Sequence, residues 1–126
     1  MTARMLAAMD DPHLTIIGHP TGRLLLSRDP YGLDLDAVME KAAATGVALE
    51  VNADPHRLDL DWRVLRRAQG RGVAISIGAD AHSVAGIANV EFGVGMARKG
   101  WLGPDDILNA QPLDQFLARV ARRREG

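Results

Sequence analysis

Apolar and polar positions along this chain fall into blocks that read as helix, strand, helix, strand, helix, strand. Thr2 to Met9 (TARMLAAM) is rich in helix formers, with Thr2 placed to cap it and Asp10-Asp11-Pro12 placed to stop it. Leu14 to Gly18 (LTIIG) is short and almost uniformly apolar, as expected of a strand covered on both faces in a parallel sheet. Asp34 to Thr45 is the clearest helix: apolar residues recur at Leu35, Val38, Met39 and Ala42, Asp34 or Asp36 can cap it, and Gly46 ends it. Val47 to Asn52 follows as a strand, Asp61 to Arg71 as a helix closed by glycine, and Val73 to Ile77 as a third strand. Alternation of this kind with short turns predicts parallel βαβ units with right-handed crossovers.

Beyond Ser83 the pattern turns helical. Val84 to Lys99 is expected to hold one helix, weakened by Gly86, Gly93 and Gly95. Gly103-Pro104-Asp105-Asp106 opens a short helical turn running through Leu108. Pro112-Leu113-Asp114 opens a last amphipathic helix with Phe116, Leu117 and Val120 on one face. Leu24 to Gly32 reads as loop. Residues 1–126 therefore predict a single α/β domain with parallel strands and C-terminal helices. Three strands that all look buried on both faces are too few to share that burial, so the chain reads as part of a larger sheet or barrel. Uncovered strand edges, and with them self-association, are expected to follow.

Composition changes this picture little. At 126 residues the chain is 47% hydrophobic and 25% charged, within the ordinary globular range. Fifteen basic residues against 16 acidic ones leave a net charge of -1, so no global field advertises nucleic acid. Two local basic clusters exist, Arg63, Arg66, Arg67 and Arg71 on one helix and Arg119, Arg122, Arg123 and Arg124 at the C-terminus, and both read as solvated faces. The absence of cysteine excludes disulfides and thiolate metal sites, leaving His, Asp, Glu and water for any cation. No apolar run reaches the length of a membrane span and no signal-peptide core is present, so a cytoplasmic protein is the expectation.

The chemistry-bearing residues gather just past the C-terminal ends of the strands, the edge on which parallel α/β sheets and barrels build their sites. The first strand delivers His19 and Arg23, the second Glu50, Asn52, His56 and Arg57, and the third Asp80 and His82. Asp80 and His82 stand two apart after a strand, which in extended backbone aims both side chains the same way. With His19 on a neighbouring strand they form a candidate nitrogen and oxygen metal set, suited to Zn, Mn, Mg or Fe. Arg23, after Gly22 in a tight polar loop, has the fork that matches phosphate oxygens. His13 and His56 lack such partners and read as surface residues. Ser27 and Ser83 lack a dedicated base, so water activated by a bound cation is the better nucleophile.

Three segments, GHPTGR (Gly18 to Arg23), ALEVNADPHRLDLDW (Ala48 to Trp62) and SIGADAHS (Ser76 to Ser83), resemble the C-terminal part of the polymerase and histidinol phosphatase (PHP) domain, most closely that of bacterial family X DNA polymerases. The stretch RKGWLGPDDILNA (Arg98 to Ala110) belongs to the same resemblance. It implies a distorted (β/α)7 barrel, of which this chain would supply the last βα units, holding a cluster of Zn, Mn or Fe ions. The implied activity is metal-dependent hydrolysis of phosphoesters, including 3′–5′ exonuclease action on DNA ends. His19, Asp80 and His82 match metal ligands of the family, and Arg23, Asn52 and Arg57 fall in its recurrent motifs as candidate substrate contacts. The family's His-any-His motif, its bridging glutamate and its other histidines have no counterpart here, so the chain is expected to be a truncated domain beginning after them. Two functions follow as expectations. One is a metal-dependent phosphoesterase fragment acting on DNA 3′ ends or a small phosphate ester; the other is a non-catalytic remnant that acts as a binding module, paired with a missing N-terminal portion or with itself.

Overall fold

The helix of Leu35–Thr45 forms between the two signals that predict it. Asp34 accepts a hydrogen bond from the Ala37 N–H at 3.0 Å, and Gly46 closes the last turn in the left-handed region at φ +76°. In a computed structural model, which describes residues 1–125, the elements are α1 (Thr2–Ala8), β1 (Ile16–Ile17), α2 (Leu35–Thr45), β2 (Ala48–Asn52), α3 (Trp62–Ala68), β3 (Ile75–Gly78), α4 (Val90–Lys99) and α5 (Leu113–Glu125). Short 3₁₀ turns at Ala85–Asn89, Pro104–Asp106 and Leu108–Ala110 link the last three units. The strands make one parallel sheet in the order β1-β2-β3, with Ile17 opposite Leu49 and Val51 opposite Ile77. No described helix is long and apolar enough to cross a membrane.

Side chains alternate across a strand, and here the two faces differ in kind. Leu49, Val51, Ile75 and Ile77 enter the main core with Met9, Val38, Met39 and Leu65, beneath α1 to α4. The other face carries Ala48, Glu50 and Asn52 from β2 and Ser76 and Gly78 from β3, with Ala74 just before it. Only its lower end is apolar, where Ala48, Ala74 and Leu108 pack with Ile16 and Phe116. β2 and β3 are largely buried on both faces, as expected, but one face is a hydrocarbon core and the other is small and polar.

Several local predictions change for identifiable reasons. Thr2 does not cap α1, whose N-cap is Met1; the Thr2 hydroxyl accepts from the Asp34 N–H at 3.0 Å and ties the starts of α1 and α2 together. β1 is shorter than Leu14 to Gly18. The Leu14 carbonyl is taken by Arg123, and the chain leaves the ladder at His19, which has φ +29°. The helix expected from Val84 begins as a 3₁₀ turn and becomes α-helical only at Val90. Gly93 strengthens that packing, because a Cβ there would lie 2.5 Å from Ile77 Cγ2; only glycine lets α4 approach the sheet so closely.

The outer edge of β3 is covered, against expectation. Ile107 bridges to Ile75, and the Asn109 carboxamide both accepts from the Ile77 N–H (3.0 Å) and donates to the Ile77 carbonyl (2.8 Å). One side chain thus does the work of a strand partner. The short β1 is left as the other edge.

Candidate metal centre

The C-terminal end of β2 is shaped by two successive Asx turns. The buried Asn52 accepts from the Asp54 N–H through its side-chain oxygen at 3.1 Å. Asp54 Oδ1 in turn accepts from the His56 N–H and stands 2.8 Å from His56 Nδ1. The His56 backbone N–H, and after it the His56 and His82 rings, hold the Asp54 carboxyl below the usual range despite some desolvation, so it is an anion at neutral pH. Asn52 is therefore a positioning residue for Asp54, and His56 has a partner that the sequence did not reveal.

β3 ends at Gly78, and the chain beyond it is not extended. Asp80 sits in the left-handed region at φ +51°, tolerated there because a short polar side chain carries little steric cost. The reason given from sequence for Asp80 and His82 facing the same way, period-two alternation, is thereby replaced by a turn. In that turn His82 Nδ1 stands 2.7 Å from the Asp80 carbonyl. A carbonyl only accepts, so Nδ1 carries the proton and Nε2 keeps its lone pair for a cation.

Asp54, Asp80 and His82 converge, with ligand atoms all within 4.8 Å of one another. No other such group occurs among the described residues. Two donors bound to one cation at about 2.1 Å each lie at most about 4.2 Å apart, so small side-chain rotations close the set. Two carboxylates and an imidazole fit a hard or borderline divalent ion, with coordination positions open to water or substrate. Arg57 stands beside the set, its Nε 3.7 Å from Asp80 Oδ2.

Of the sequence-derived trio, Asp80 and His82 lie close together in the structure, and Asp54 is the third side chain within reach of them. His19 is exposed and lies outside the group; its backbone N–H donates to Glu50 Oε2 at 2.7 Å. Glu50 reaches across the strand ends on the polar face, with Oε1 lying where a Cβ on Gly78 would be. Asp54 was missed although it carries the signal used for the others, a carboxylate just past the C-terminal end of a strand.

Arg23 does not present a free fork. Its Nε donates to the Arg57 carbonyl at 2.8 Å, one terminal nitrogen donates to the Leu58 carbonyl, and the other lies 3.5 Å from Asp61. Arg57 returns a bond to the Arg23 carbonyl at 3.3 Å, so the two arginines lock the GHPTGR loop to the segment after β2. The lock is completed by Asp59, wholly buried, whose Oδ2 accepts from the Thr21 and Gly22 N–H groups at 3.0 Å each. Burial pushes the Asp59 carboxyl above its ordinary range, against the smaller opposing pull of the Thr21 and Gly22 bonds and of Arg23. Ser83 accepts from the Gly86 N–H and is occupied as a turn cap.

No family model matches the chain. Over 119 residues, 94% of its length, it is 41% identical to the DNA polymerase/3′–5′ exonuclease PolX of Bacillus subtilis (strain 168). The match lies in the C-terminal part of that protein, and the chain spans 21% of its length.

Proposed function

We infer the function of this chain from its resemblance to the C-terminal part of a family X DNA polymerase/3′–5′ exonuclease, which extends over 94% of its residues, and propose that it forms part of a metal-dependent phosphoesterase. The substrate class that fits is a phosphoester at a DNA 3′ end or on a small molecule. One observation carries the reading: Asp54, Asp80 and His82 meet at the C-terminal edge of a parallel sheet, with the His82 tautomer set by the Asp80 carbonyl.

A divalent cation held there, with Mn, Zn, Fe or Mg all compatible with the donors, would supply a polarised phosphoryl oxygen and a water of lowered pKa. The protein's own groups divide the remaining work. Asp54 and Asp80 provide the negative charge that holds the ion. His82 offers Nε2 while Nδ1 stays committed to the main chain. Arg57, beside Asp80, is the cation placed to meet a phosphate oxygen, whereas Arg23 orders the loop that carries His19. The polar second face of the sheet, with Glu50 and Asn52 at its upper end, is the surface that a (β/α) barrel would enclose, and it supports the partial-barrel assignment.

A second reading, a module that binds the ion without turnover, is favoured by the occupied fork of Arg23, which leaves Arg57 as the nearby phosphate ligand. Metal content and Mn²⁺-supported release of nucleotides from a DNA 3′ end, measured for wild type and Asp80→Ala, separate the two. Loss of both supports the phosphoesterase, and loss of metal from a wild type without activity supports the binding module. Activity that survives Asp80→Ala removes the site assignment.

A further inference from the structure

The two basic clusters of the sequence have different fates. On α3 and the turn after it, Arg67 and Arg71 pair with Asp36 (2.7 and 2.8 Å), Arg63 pairs with Asp61, and Arg66 stacks on Trp101 with 3.5 Å to the ring centre. That cluster is spent on structure. On α5, Arg123 is spent too, its guanidinium donating to the carbonyls of Met9, Asp11, Leu14 and Thr45. Arg119 and Arg122 are not: among the described residues neither takes part in an ion pair.

These two arginines line a cavity of about 320 Å³ at the N-terminal end of β3, on the opposite edge of the sheet from the metal centre. Gln115 adds an amide donor to its wall, beside the turn that enters the strand, whereas the Gln111 amide is spent on the Pro104 and Ile107 carbonyls at 2.9 and 3.1 Å. Arg119 Nε is fully buried yet finds no acceptor. A guanidinium cannot shed its proton near neutral pH, so an unpaired buried N–H of this kind is destabilising until an acceptor arrives. Both arginines line the same space, and there burial, and after it the neighbouring Arg122 charge, lowers the Arg119 pKa. Asp105 and Asp106 lie on the same wall without neutralising them; Asp106 Oδ2 is committed to the Gly103 N–H at 2.8 Å.

We propose that this cavity is a phosphate-binding site, independent of the metal centre, in which Arg119 and Arg122 grip the anion and Gln115 orients it. Two guanidinium forks with one amide donor match a tetrahedral oxyanion, and the flanking carboxylates exclude a bulky polyanionic cluster in favour of a single phosphate group. The chemistry is shared by a free phosphate, a terminal monoester and one diester of a nucleic-acid strand.

The test uses the whole chain in EDTA, so that no divalent ion contributes. Thermal unfolding is followed against inorganic phosphate, with chloride of equal ionic strength as reference. Phosphate is expected to raise the wild-type midpoint in a saturable manner, with apparent affinity at least about tenfold weaker in Arg122→Gln and Arg119→Gln and unchanged in Arg124→Gln. Arg122 is exposed, so its variant retains the fold and decides the matter should Arg119→Gln unfold. A short oligodeoxynucleotide without terminal phosphates is then added as competitor. Displacement of phosphate assigns the site to a diester backbone, and failure to displace assigns it to free phosphate or a monoester; either supports the site. No saturable response to phosphate in wild type, or an undiminished response in Arg122→Gln, overturns it.

Discussion

His82 Nδ1 stands 2.7 Å from the main-chain carbonyl of Asp80, the residue two positions before it. The bond fixes the imidazole as its Nδ1–H tautomer and turns Nε2 outward beside the Asp54 and Asp80 carboxylates. His82→Ala removes a donor and is expected to weaken Mn²⁺ or Zn²⁺ binding by more than about 100-fold, measured by competition titration against a chromogenic chelator. Equal affinity in the variant and wild type would show that the ion sits elsewhere.

The identity of the third donor is a separate prediction. Asp54→Ala is expected to cost as much metal affinity as Asp80→Ala, and His19→Ala much less, because His19 lies outside the group that converges in this structure. Titration of the three variants side by side decides it. A large loss in His19→Ala with little in Asp54→Ala would restore the sequence-derived trio.

Asp59 controls how stability varies with pH. Its folded pKa is raised by burial, so the fold favours the protonated form more than the unfolded chain does, with a reference value of about 3.9. The stability this group contributes is present below the unfolded value and is lost as pH rises through the folded one. Asp59→Asn keeps an oxygen for the Thr21 and Gly22 N–H groups and removes the ionisation. Urea unfolding is expected to show the variant gaining on wild type as pH rises from the acidic range to neutral, with no further gain beyond. Asp59→Ala, which leaves both buried N–H groups without acceptor, is expected to lose roughly 2–4 kcal/mol in the acidic range and less as pH rises and wild type loses the contribution of its protonated carboxyl. A pH-independent difference between Asp59→Asn and wild type would contradict the assignment.

Gly93 is predicted to tolerate no side chain. Its added Cβ would meet Ile77 Cγ2 at 2.5 Å and Ala53 Cβ at 2.9 Å, so Gly93→Ala is expected to lose about 1–3 kcal/mol by overpacking, despite the better helix propensity of alanine. Gly95→Ala, with open space at its Cβ, is the control and is expected to hold or gain stability in the same chemical denaturation series.

Arg123 and Arg124 are neighbours in sequence with opposite predicted weight. Arg123→Ala leaves four main-chain carbonyls short of a donor and frees α5 from the α1–β1 turn, at an expected cost of roughly 2–3 kcal/mol. Arg124→Ala is exposed and is expected to stay within about 0.5 kcal/mol of wild type. Equal effects would show that α5 is held by its apolar contacts instead.

The local features of this protein were legible before any coordinates. A cap at Asp34 or Asp36, the stop at Gly46, the start of α3 at Asp61 and the three strands themselves all follow from side-chain chemistry acting within a few residues. So does the placing of Asp80 and His82 beyond the third strand, and the resemblance of GHPTGR and SIGADAHS to a known domain. What sequence pattern did not reveal depends on contacts between segments far apart in the chain. Arg23 looked free to hold a phosphate, but residues 34 to 38 positions later claim its fork. The C-terminal arginines looked like one solvated run, yet one is bound to carbonyls while two line a cavity.

The metal set divides along the same line. Sequence by itself placed the candidate ligands at the C-terminal edge of the sheet, because hydrophobic periodicity fixes where each strand ends and which side chains come next. Only the tertiary structure decided that Asp54 joins Asp80 and His82 while His19 stands apart. The physical reason is that beyond the strands the chain turns through left-handed conformations at His19 and Asp80, where period-two alternation no longer applies. There the direction of a side chain is set by the hydrogen bonds of its own turn.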